Sequence, residues 1–173
     1  MIKQRRIQLT ALVNNAGTPL ERQRANEISA ERLKSIFAVN FYGAFRCAQE
    51  AIRNMQAGKV SGAIINISSI STKNGGRRNH LDYAAMKAAV ETMTVGMALE
   101  YAKSGLRINA VSPGTTATDL SAELVGPALR KVKKQIPLGR LAEPGEIAEA
   151  VIWLISPKAS YVTGTVLTVA GGR

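Results

Sequence analysis

Cysteine and histidine are almost missing from this sequence, which has one residue of each, Cys47 and His80, in 173 residues. A lone cysteine cannot form a disulfide within the chain, and a lone histidine without neighbouring ligands argues against structural zinc. The sequence also lacks an apolar run long enough to span a membrane. Its first residues lack the apolar segment and cleavage site of a signal peptide. These absences favour a reducing, cytoplasmic setting and no membrane partner.

Acidic residues are scarce too, with 12 Asp and Glu against 23 Lys and Arg, a net charge of +11. A basic surface favours anionic partners, including nucleotides, nucleic acids and acidic membranes. The basic residues are scattered, as at Arg5, Arg6, Arg77, Arg78, Lys131, Lys133 and Lys134. No aromatic residues interleave with them to form a base-stacking platform, so we expect no nucleic-acid partner. We first interpret the positive net charge as a solvated basic surface, or as the charge of a fragment whose acidic half is absent. Binding that weakens steeply with salt would instead indicate nucleic acid.

Apolar residues make up 46% of the chain, which is typical of a globular protein, and we predict one domain over residues 1–173. Strand patterns cover Ile7–Val13, Ser61–Ile67, Leu106–Val111 and Thr163–Ala170. Helical spacing covers Ser29–Met55, Asp82–Tyr101, Ser121–Gln135 with an interruption at Gly126 and Pro127, and Pro144–Ile155. Strands that alternate with helices in this way predict an α/β fold with a parallel sheet.

A tyrosine and a lysine, Tyr83 and Lys87, lie four residues apart in the second predicted helix. That spacing places both side chains on one face of the helix. The pair has two interpretations: an exposed pair without a task, or a proton donor whose pKa is lowered by a positive neighbour. A free phenol titrates near pH ~10, too high for efficient base catalysis at neutral pH, so the second interpretation requires such a neighbour.

Six motifs follow one another along the chain: NNAG at 14–17, VN at 39–40, NISS at 66–69, YAAMK at 83–87, INAVSPG at 108–114 and a closing SYVTGTVLTVAGG. In this order and spacing they resemble the short-chain dehydrogenase/reductase family over almost the whole chain. The segment GRLAEPGEIAEAVIWLIS looks like the bacterial branch that includes sugar dehydrogenases and acyl-carrier-protein reductases. The resemblance implies a Rossmann-like, doubly wound parallel sheet, NAD or NADP as cofactor, a homo-oligomer (dimer or tetramer), and exchange between a small-molecule secondary alcohol and a ketone.

The resemblance also implies a catalytic set. Tyr83 would exchange a proton with the substrate oxygen, which Ser69 would hold and polarise. Lys87 would lower the pKa of Tyr83 and bind the nicotinamide ribose, and Asn40 would anchor a water that links Lys87 to solvent. Simpler interpretations stay open: Ser69, and more so Ser68, would cap the end of a strand, and Asn40 would be a buried polar residue that caps nearby backbone.

Further residues would contact the cofactor by the same resemblance. Asn15, Ala16 and Gly17 would lie against the adenosine ribose, although a plain turn is the alternative. Pro113 and Gly114 would meet the nicotinamide face, or else only end a strand. Thr118 would bind the carboxamide or a phosphate, with Thr116 a weaker candidate for the same region.

Two segments near the expected site concern the substrate. Residues 120–135, from Leu120 to Gln135, would form a mobile substrate lid. Arg77 and Arg78 would lie near the substrate entrance, where they favour an anionic substrate or belong to a solvated loop. The sequence does not name the substrate: a sugar, a steroid, an acyl thioester and a small ketone all remain open.

The chain departs from the family at its beginning, because nothing in it matches the TGxxxGxG turn that binds the pyrophosphate. It begins at what resembles the fourth strand, so about three strands and the residue that selects NAD or NADP would be absent. The first strand would then expose an unpaired edge and apolar surface. A wrong start, a truncated gene and a genuine short oligomer compete as explanations. A non-catalytic oligomerisation fragment, built on the helices over residues 29–55 and 82–101, is the alternative function.

Overall fold

Parallel strands form the centre of the computed structural model, which describes residues 8–76, 79–122 and 124–173. Within them, one sheet contains β1 (Ala11–Asn14), β2 (Ala63–Ile67), β3 (Arg107–Pro113) and β4 (Val166–Val169), in that spatial order. All neighbouring strands run parallel, which confirms the predicted sheet. Ile7, where the first strand was predicted to begin, lies outside the described residues, as do Arg5, Arg6, Arg77 and Arg78.

Helices cover both faces of the sheet. Successive strand residues point to opposite faces, and Ile64 and Ile65 are both fully buried, in different clusters. Ile64 packs with α2 (Gly43–Ala57) and α3 (Leu81–Tyr101), whereas Ile65 packs with α5 (Pro144–Ile155). Apolar strands buried on both sides explain the continuous apolar run of β2, and they confirm the doubly wound, Rossmann-like architecture.

The helix predicted over Ser29–Met55 is divided into three parts. It comprises α1 (Ala30–Phe37), a π-helical turn (Ala38–Tyr42) and α2. Ser29 is the N-cap of α1, and its Oγ accepts a hydrogen bond from the Arg32 amide. Within the turn, Asn40 donates from Nδ2 to the Ile36 carbonyl at 3.0 Å. The side chain thus bonds a carbonyl of the preceding helix and supports a wide turn that an ordinary helix would lack.

Helix α3 begins one residue earlier than predicted and carries Tyr83 and Lys87. A buried ion pair fixes its first turn against α1, because Arg32 Nε lies 2.6 Å from Asp82 Oδ2. The Asp82 side chain is 0% exposed and that of Arg32 is 11% exposed. The ion pair therefore sets the position of the helix end that presents Tyr83.

The prediction of a helix over residues 121–135 is wrong for the first part of that range. A short 3₁₀ turn covers Asp119–Ser121, and α4 covers only Gly126–Lys134. Pro127 lies in the first turn of α4, where a residue without an N–H loses no helical bond, so the proline begins the helix rather than interrupting it. Helix α5 spans Pro144–Ile155, as predicted.

The outer side of β1 is an unpaired edge among the described residues, since β1 bonds only to β2. Val13 on this strand is 42% exposed, in keeping with the expected apolar edge. No helix in the described part of the chain has both the length and the apolar character needed to cross a bilayer.

Candidate active site

One cavity of about 760 Å³ opens at the carboxyl ends of the strands. Residues that follow β1, β2 and β3 all line it, including Gly17, Ser69 and Gly114. Ligands of open parallel sheets bind in a crevice at this edge. The other lining residues that concern the predicted site are Asn15, Tyr83, Lys87, Pro113, Thr116 and Thr118.

Tyr83 and Lys87 both face this cavity from the first two turns of α3. Lys87 is only 3% exposed, and its Nζ donates a hydrogen bond to the Ile67 carbonyl at the end of β2, at 2.8 Å. The same nitrogen lies 5.7 Å from the centre of the Tyr83 ring. The interpretation of an exposed helical pair is therefore wrong, because α3 packs this face against the end of the sheet.

The protonation behaviour of the pair is dominated by burial. Burial raises the pKa of Tyr83 above its ordinary value of 10.0, and a side-chain hydrogen bond with Ser69 partly opposes the rise. Burial lowers the pKa of Lys87 from 10.5 to about 8. Lys87, whose Nζ is directed at the Ile67 carbonyl, is not among the causes of the Tyr83 shift. That Lys87 lowers the pKa of Tyr83 stays a prediction.

Ser69 lies where β2 leads into a 3₁₀ turn, Ile70–Asn74. Its backbone is extended, and its Oγ accepts a hydrogen bond from the Ser71 amide at 3.2 Å. The capping interpretation thus holds for Ser69. The same side chain also hydrogen-bonds Tyr83, so the two interpretations do not exclude each other.

Ser68 does not cap the strand, contrary to the interpretation from sequence. Its side chain is turned toward α3, where Oγ donates to Glu91 Oε1 at 2.5 Å. Sequence reasoning missed Glu91, although it lies four residues after Lys87 and therefore on the same face of the helix.

Asn40 is buried but does not line the cavity. Its Nδ2 donates to the Thr18 carbonyl at 2.9 Å, and its Oδ1 accepts from the Thr18 amide at 3.1 Å. The side chain therefore holds the loop after β1 by both of its polar atoms, which agrees with the backbone-capping interpretation. The proposal that Asn40 also anchors a water near Lys87 is not addressed by these contacts and stays a prediction.

The loop after β1 passes very close to Asn40 and Lys87. A Cβ atom on Gly17 would lie 2.9 Å from Asn40 Oδ1 and 3.0 Å from Lys87 Nζ. Only glycine permits this approach without a shift of those side chains. Asn15 and Gly17 line the cavity, whereas Ala16 between them does not.

The loop after β3 forms the opposite wall. A Cβ on Gly114 would lie 2.8 Å from Ala170 Cα, so this glycine lets the loop pack against the end of β4. Thr116 donates from Oγ1 to the Gly114 carbonyl at 3.3 Å and bridges to Ala142. Thr118 lines the cavity, and its amide donates to Ser121 Oγ at 3.0 Å.

Comparison with known proteins gives consistent results. A protein-family model described as enoyl-(acyl carrier protein) reductase matches residues 1–173. The uncharacterized oxidoreductase YgfF of Escherichia coli is 40% identical over 168 residues, which cover 95% of this chain and 68% of YgfF. Glucose 1-dehydrogenase 2 of Bacillus subtilis is 36% identical over 165 residues, covering 95% of this chain and 64% of that enzyme.

A solved structure is similar over the same extent. It is a putative 2-deoxy-D-gluconate 3-dehydrogenase from Agrobacterium tumefaciens with bound NADP, which is 33% identical and superposes with a TM-score of 0.89. The match covers 94% of this chain and 66% of that one. The chain thus spans about two thirds of the length of these relatives. Its sequence motifs, its parallel sheet and these matches together show that the chain belongs to the short-chain dehydrogenase/reductase family.

Proposed function

We propose that this chain is the catalytic part of an NAD(P)-dependent oxidoreductase that interconverts a secondary alcohol and a ketone. The observation that carries the proposal is the meeting of Ser69, Tyr83 and Lys87 at one cavity, at the carboxyl ends of the strands. The three residues come from two separate elements, so their proximity is a product of the fold. The chain spans about two thirds of the length of these relatives. The activity is proposed for this chain, and the experiment below tests it on this chain.

Tyr83 is the proposed acid–base residue, and Ser69 is proposed to hold and polarise the substrate oxygen. In the oxidation direction, Tyr83 must first be ionised, and its Oη then accepts the hydroxyl proton of the alcohol while the carbinol hydrogen leaves as hydride. In reduction, Tyr83 returns the proton to the carbonyl oxygen. Ser69 Oγ accepts a hydrogen bond from the Ser71 amide and also hydrogen-bonds Tyr83. When substrate binds, we propose that the Ser69 hydroxyl proton turns from Tyr83 to the substrate oxygen.

Lys87 is proposed to support Tyr83 when the cofactor is bound. Its pKa of about 8 means that it gains or loses a proton near neutral pH, as a residue in a proton relay must. Asn40 stabilises the adjacent loop, and its proposed role in the relay is to hold a water near Lys87. Gly17 supports this role, because its missing side chain keeps Asn40 and Lys87 close to each other.

The residues present fit the nicotinamide end of NAD or NADP. The cavity is lined by backbone and hydroxyl groups after β1 and β3. Ser71, which also lines it, has a buried Oγ that finds no hydrogen-bond partner among the described residues. Asn15, Ala16, Gly17, Pro113, Gly114, Thr116 and Thr118 would hold the cofactor together with Tyr83 and Lys87. The cofactor, when bound, supplies or accepts the hydride.

The substrate is proposed to be a small polar alcohol or ketone. Two relatives carry names that refer to sugars or sugar acids, glucose and 2-deoxy-D-gluconate. Ser121 and Leu124 line the cavity, which supports the proposal that residues 120–135 form a substrate lid. The cytoplasm is the proposed location, on the strength of the single cysteine.

The experiment is to incubate the purified chain with NAD⁺ or NADP⁺ and either glucose or 2-deoxy-D-gluconate, and to follow the absorbance of reduced nicotinamide. Tyr83→Phe should abolish turnover and leave cofactor affinity largely unchanged, as measured by fluorescence titration. Tyr161→Phe is the matched control, since Tyr161 is fully exposed. Substantial turnover by Tyr83→Phe would contradict the assigned role of Tyr83.

Oligomerisation through the helices is the second candidate function. Leu33, Phe37 and Tyr42 in the first helical region, and Val95 and Leu99 on α3, expose apolar side chains, with Leu99 79% exposed. Exposed apolar surface of this kind is typical of an interface. Light scattering should detect a dimer or larger assembly, and Leu99→Lys should shift it toward monomer. Leu138→Lys, at an exposed position outside these helices, is the control. A wild-type chain that is only monomeric would refute this function.

A further inference from the structure

Ser69 occupies a short turn whose other members make unusual contacts. Ser68 and Thr72, on either side of it, both direct their hydroxyl groups at Glu91 Oε1, at distances of 2.5 and 3.1 Å. Thr72 Oγ1 also lies 3.1 Å from the Ser69 carbonyl oxygen. Thr72 has one hydroxyl proton for these two acceptors. The Glu91 oxygen thus bonds the turn directly through Ser68 and shares the Thr72 hydroxyl with the Ser69 carbonyl.

From this geometry we infer that Glu91 is a positioning residue, which holds the Ser68–Thr72 turn so that the Ser69 hydroxyl stays directed at Tyr83. The inference rests on the proposed function and extends it to a residue outside the cavity. Glu91 acts through Ser68 and Thr72, and it is not among the residues that line the cavity.

The contact to Ser68 is the strong part of this arrangement. Ser68 is 3% exposed, so its hydroxyl has little access to water and depends on partners inside the protein. Its other acceptor, the Lys87 carbonyl, lies farther away at 3.4 Å. A hydroxyl bonded to a carboxylate forms a shorter and stronger bond than one between neutral groups. Loss of the Glu91 carboxylate would leave the buried Ser68 hydroxyl with only the long contact to the Lys87 carbonyl.

Helix α3 makes the contact relevant to catalysis. Tyr83, Lys87 and Glu91 follow one another at intervals of four residues, on one face of the same helix. A single rigid element therefore presents the proposed acid, its lysine partner and the acceptor that fixes the serine turn. Helix α3 therefore holds Tyr83 directly and holds Ser69 indirectly, through the contacts of Glu91 with the turn.

The experiment compares Glu91→Ala, Glu91→Gln and Glu100→Ala. The glutamine keeps an acceptor oxygen without the charge, and Glu100 is an exposed glutamate on the same helix. Hydrogen–deuterium exchange of the peptide over residues 68–74 reports the turn without any need for turnover. We expect faster exchange there in Glu91→Ala, substantial restoration in Glu91→Gln and no change in Glu100→Ala. Unchanged exchange in Glu91→Ala would overturn the inference.

Turnover gives the second measurement. Glu91→Ala should lower kcat about tenfold with KM nearly unchanged, since one charge-assisted hydrogen bond is lost away from the substrate. In a Ser69→Ala background the same substitution should lower kcat little further, because both changes remove one function. If Glu91→Ala lowers kcat by the same factor in wild type and in the Ser69→Ala variant, Glu91 has a general structural role. That result would refute the inference that Glu91 positions Ser69. If the wild-type chain shows no turnover at all, the proposed function fails, whereas the exchange measurement still decides whether Glu91 holds the turn.

Discussion

Asn14 and Asn66 occupy paired positions on β1 and β2, and Asn14 Nδ2 donates to Asn66 Oδ1 at 2.8 Å. Asn66 in turn donates to Thr94 Oγ1 at 2.9 Å, and Thr94 donates to the Val90 carbonyl at 2.7 Å. The chain of bonds joins the edge strand, the next strand and α3 through the protein interior. Each fully buried polar group in it has a partner, as a stable interior requires.

Replacement of Asn66 by alanine should lower the free energy of unfolding by about 2 kcal/mol, because two buried hydrogen bonds are lost. Asn14 Nδ2 then keeps only the Ala44 carbonyl as acceptor, and Thr94 Oγ1 loses the donor that Asn66 supplied. Urea denaturation followed by circular dichroism measures the change. Asn54→Ala, at an exposed position of α2, should be close to neutral. Equal midpoints for the two variants would show that the buried chain of bonds adds no net stability.

Loss of Arg32 should destabilise the protein by about 3 kcal/mol or more, since it leaves the buried Asp82 carboxylate unpaired. Arg32→Met is the test variant in thermal or urea unfolding, because methionine keeps much of the apolar stem. Arg46→Met is the control: Arg46 and Glu50 form an exposed pair with a separation of 3.7 Å, which should contribute little. A small effect at Arg32 would mean that water reaches Asp82 in solution.

The stability of the protein should rise with pH above about 8 through Lys87, whose pKa burial lowers from 10.5 to about 8. Between those values the unfolded chain binds more protons at this lysine than the folded chain does, so raising the pH favours the folded state. Lys87→Met should remove this contribution. The unfolding free energy of wild type minus that of Lys87→Met should therefore increase from pH 8 to 10, by at most about 1.4 kcal/mol per pH unit.

The same comparison should be confined to values below pH 10. Above it the raised pKa of Tyr83 acts in the opposite direction, because the folded chain then keeps a proton that the unfolded chain has lost. A difference that stays constant from pH 8 to 10 would show that Lys87 is hydrated and titrates normally in the folded protein.

Gly17→Ala should reduce turnover and cost about 1–3 kcal/mol of stability, because its Cβ would displace Asn40 and Lys87. Kinetics and thermal unfolding measure the two effects. Gly96→Ala is the matched control: a Cβ there meets no described residue within 4 Å, and alanine favours its helix. If Gly17→Ala retains full turnover, Lys87 tolerates displacement from its observed position.

Much of the fold and part of the candidate site could be predicted from local patterns. Apolar runs predicted the strands, and the spacing of Tyr83 and Lys87 placed both on one face of α3. The π-helical turn could not be predicted, since residues 38–42 keep helical apolar spacing and the difference lies in hydrogen bonding. Pro127 was predicted to interrupt a helix, whereas it lies in the first turn of α4. Proline occurs both where helices begin and where they end, so the residue alone does not distinguish the two.

The remaining features depend on how distant segments meet. Glu91 contacts Ser68 only because the turn after β2 packs against α3, which no short-range pattern encodes. The raised pKa of Tyr83 has a similar origin: it reflects the burial of the phenol, which the hydrogen bond with Ser69 only partly opposes. Residue spacing predicts proximity along a helix, but it does not predict exposure to water.

The wide turn at Ala38–Tyr42 also determines in which direction the side chains of α1 point relative to those of α2. Each residue of an α-helix advances the direction of its side chains by about 100°. Deletion of one residue within the turn would therefore rotate the whole of α1 about its axis relative to α2. Ile36, which is fully buried, would leave the interior while Met55 stayed in place. The extra residue in the π-helical turn therefore rotates α1 relative to α2. With that rotation, the apolar faces of both helices are directed at the protein interior.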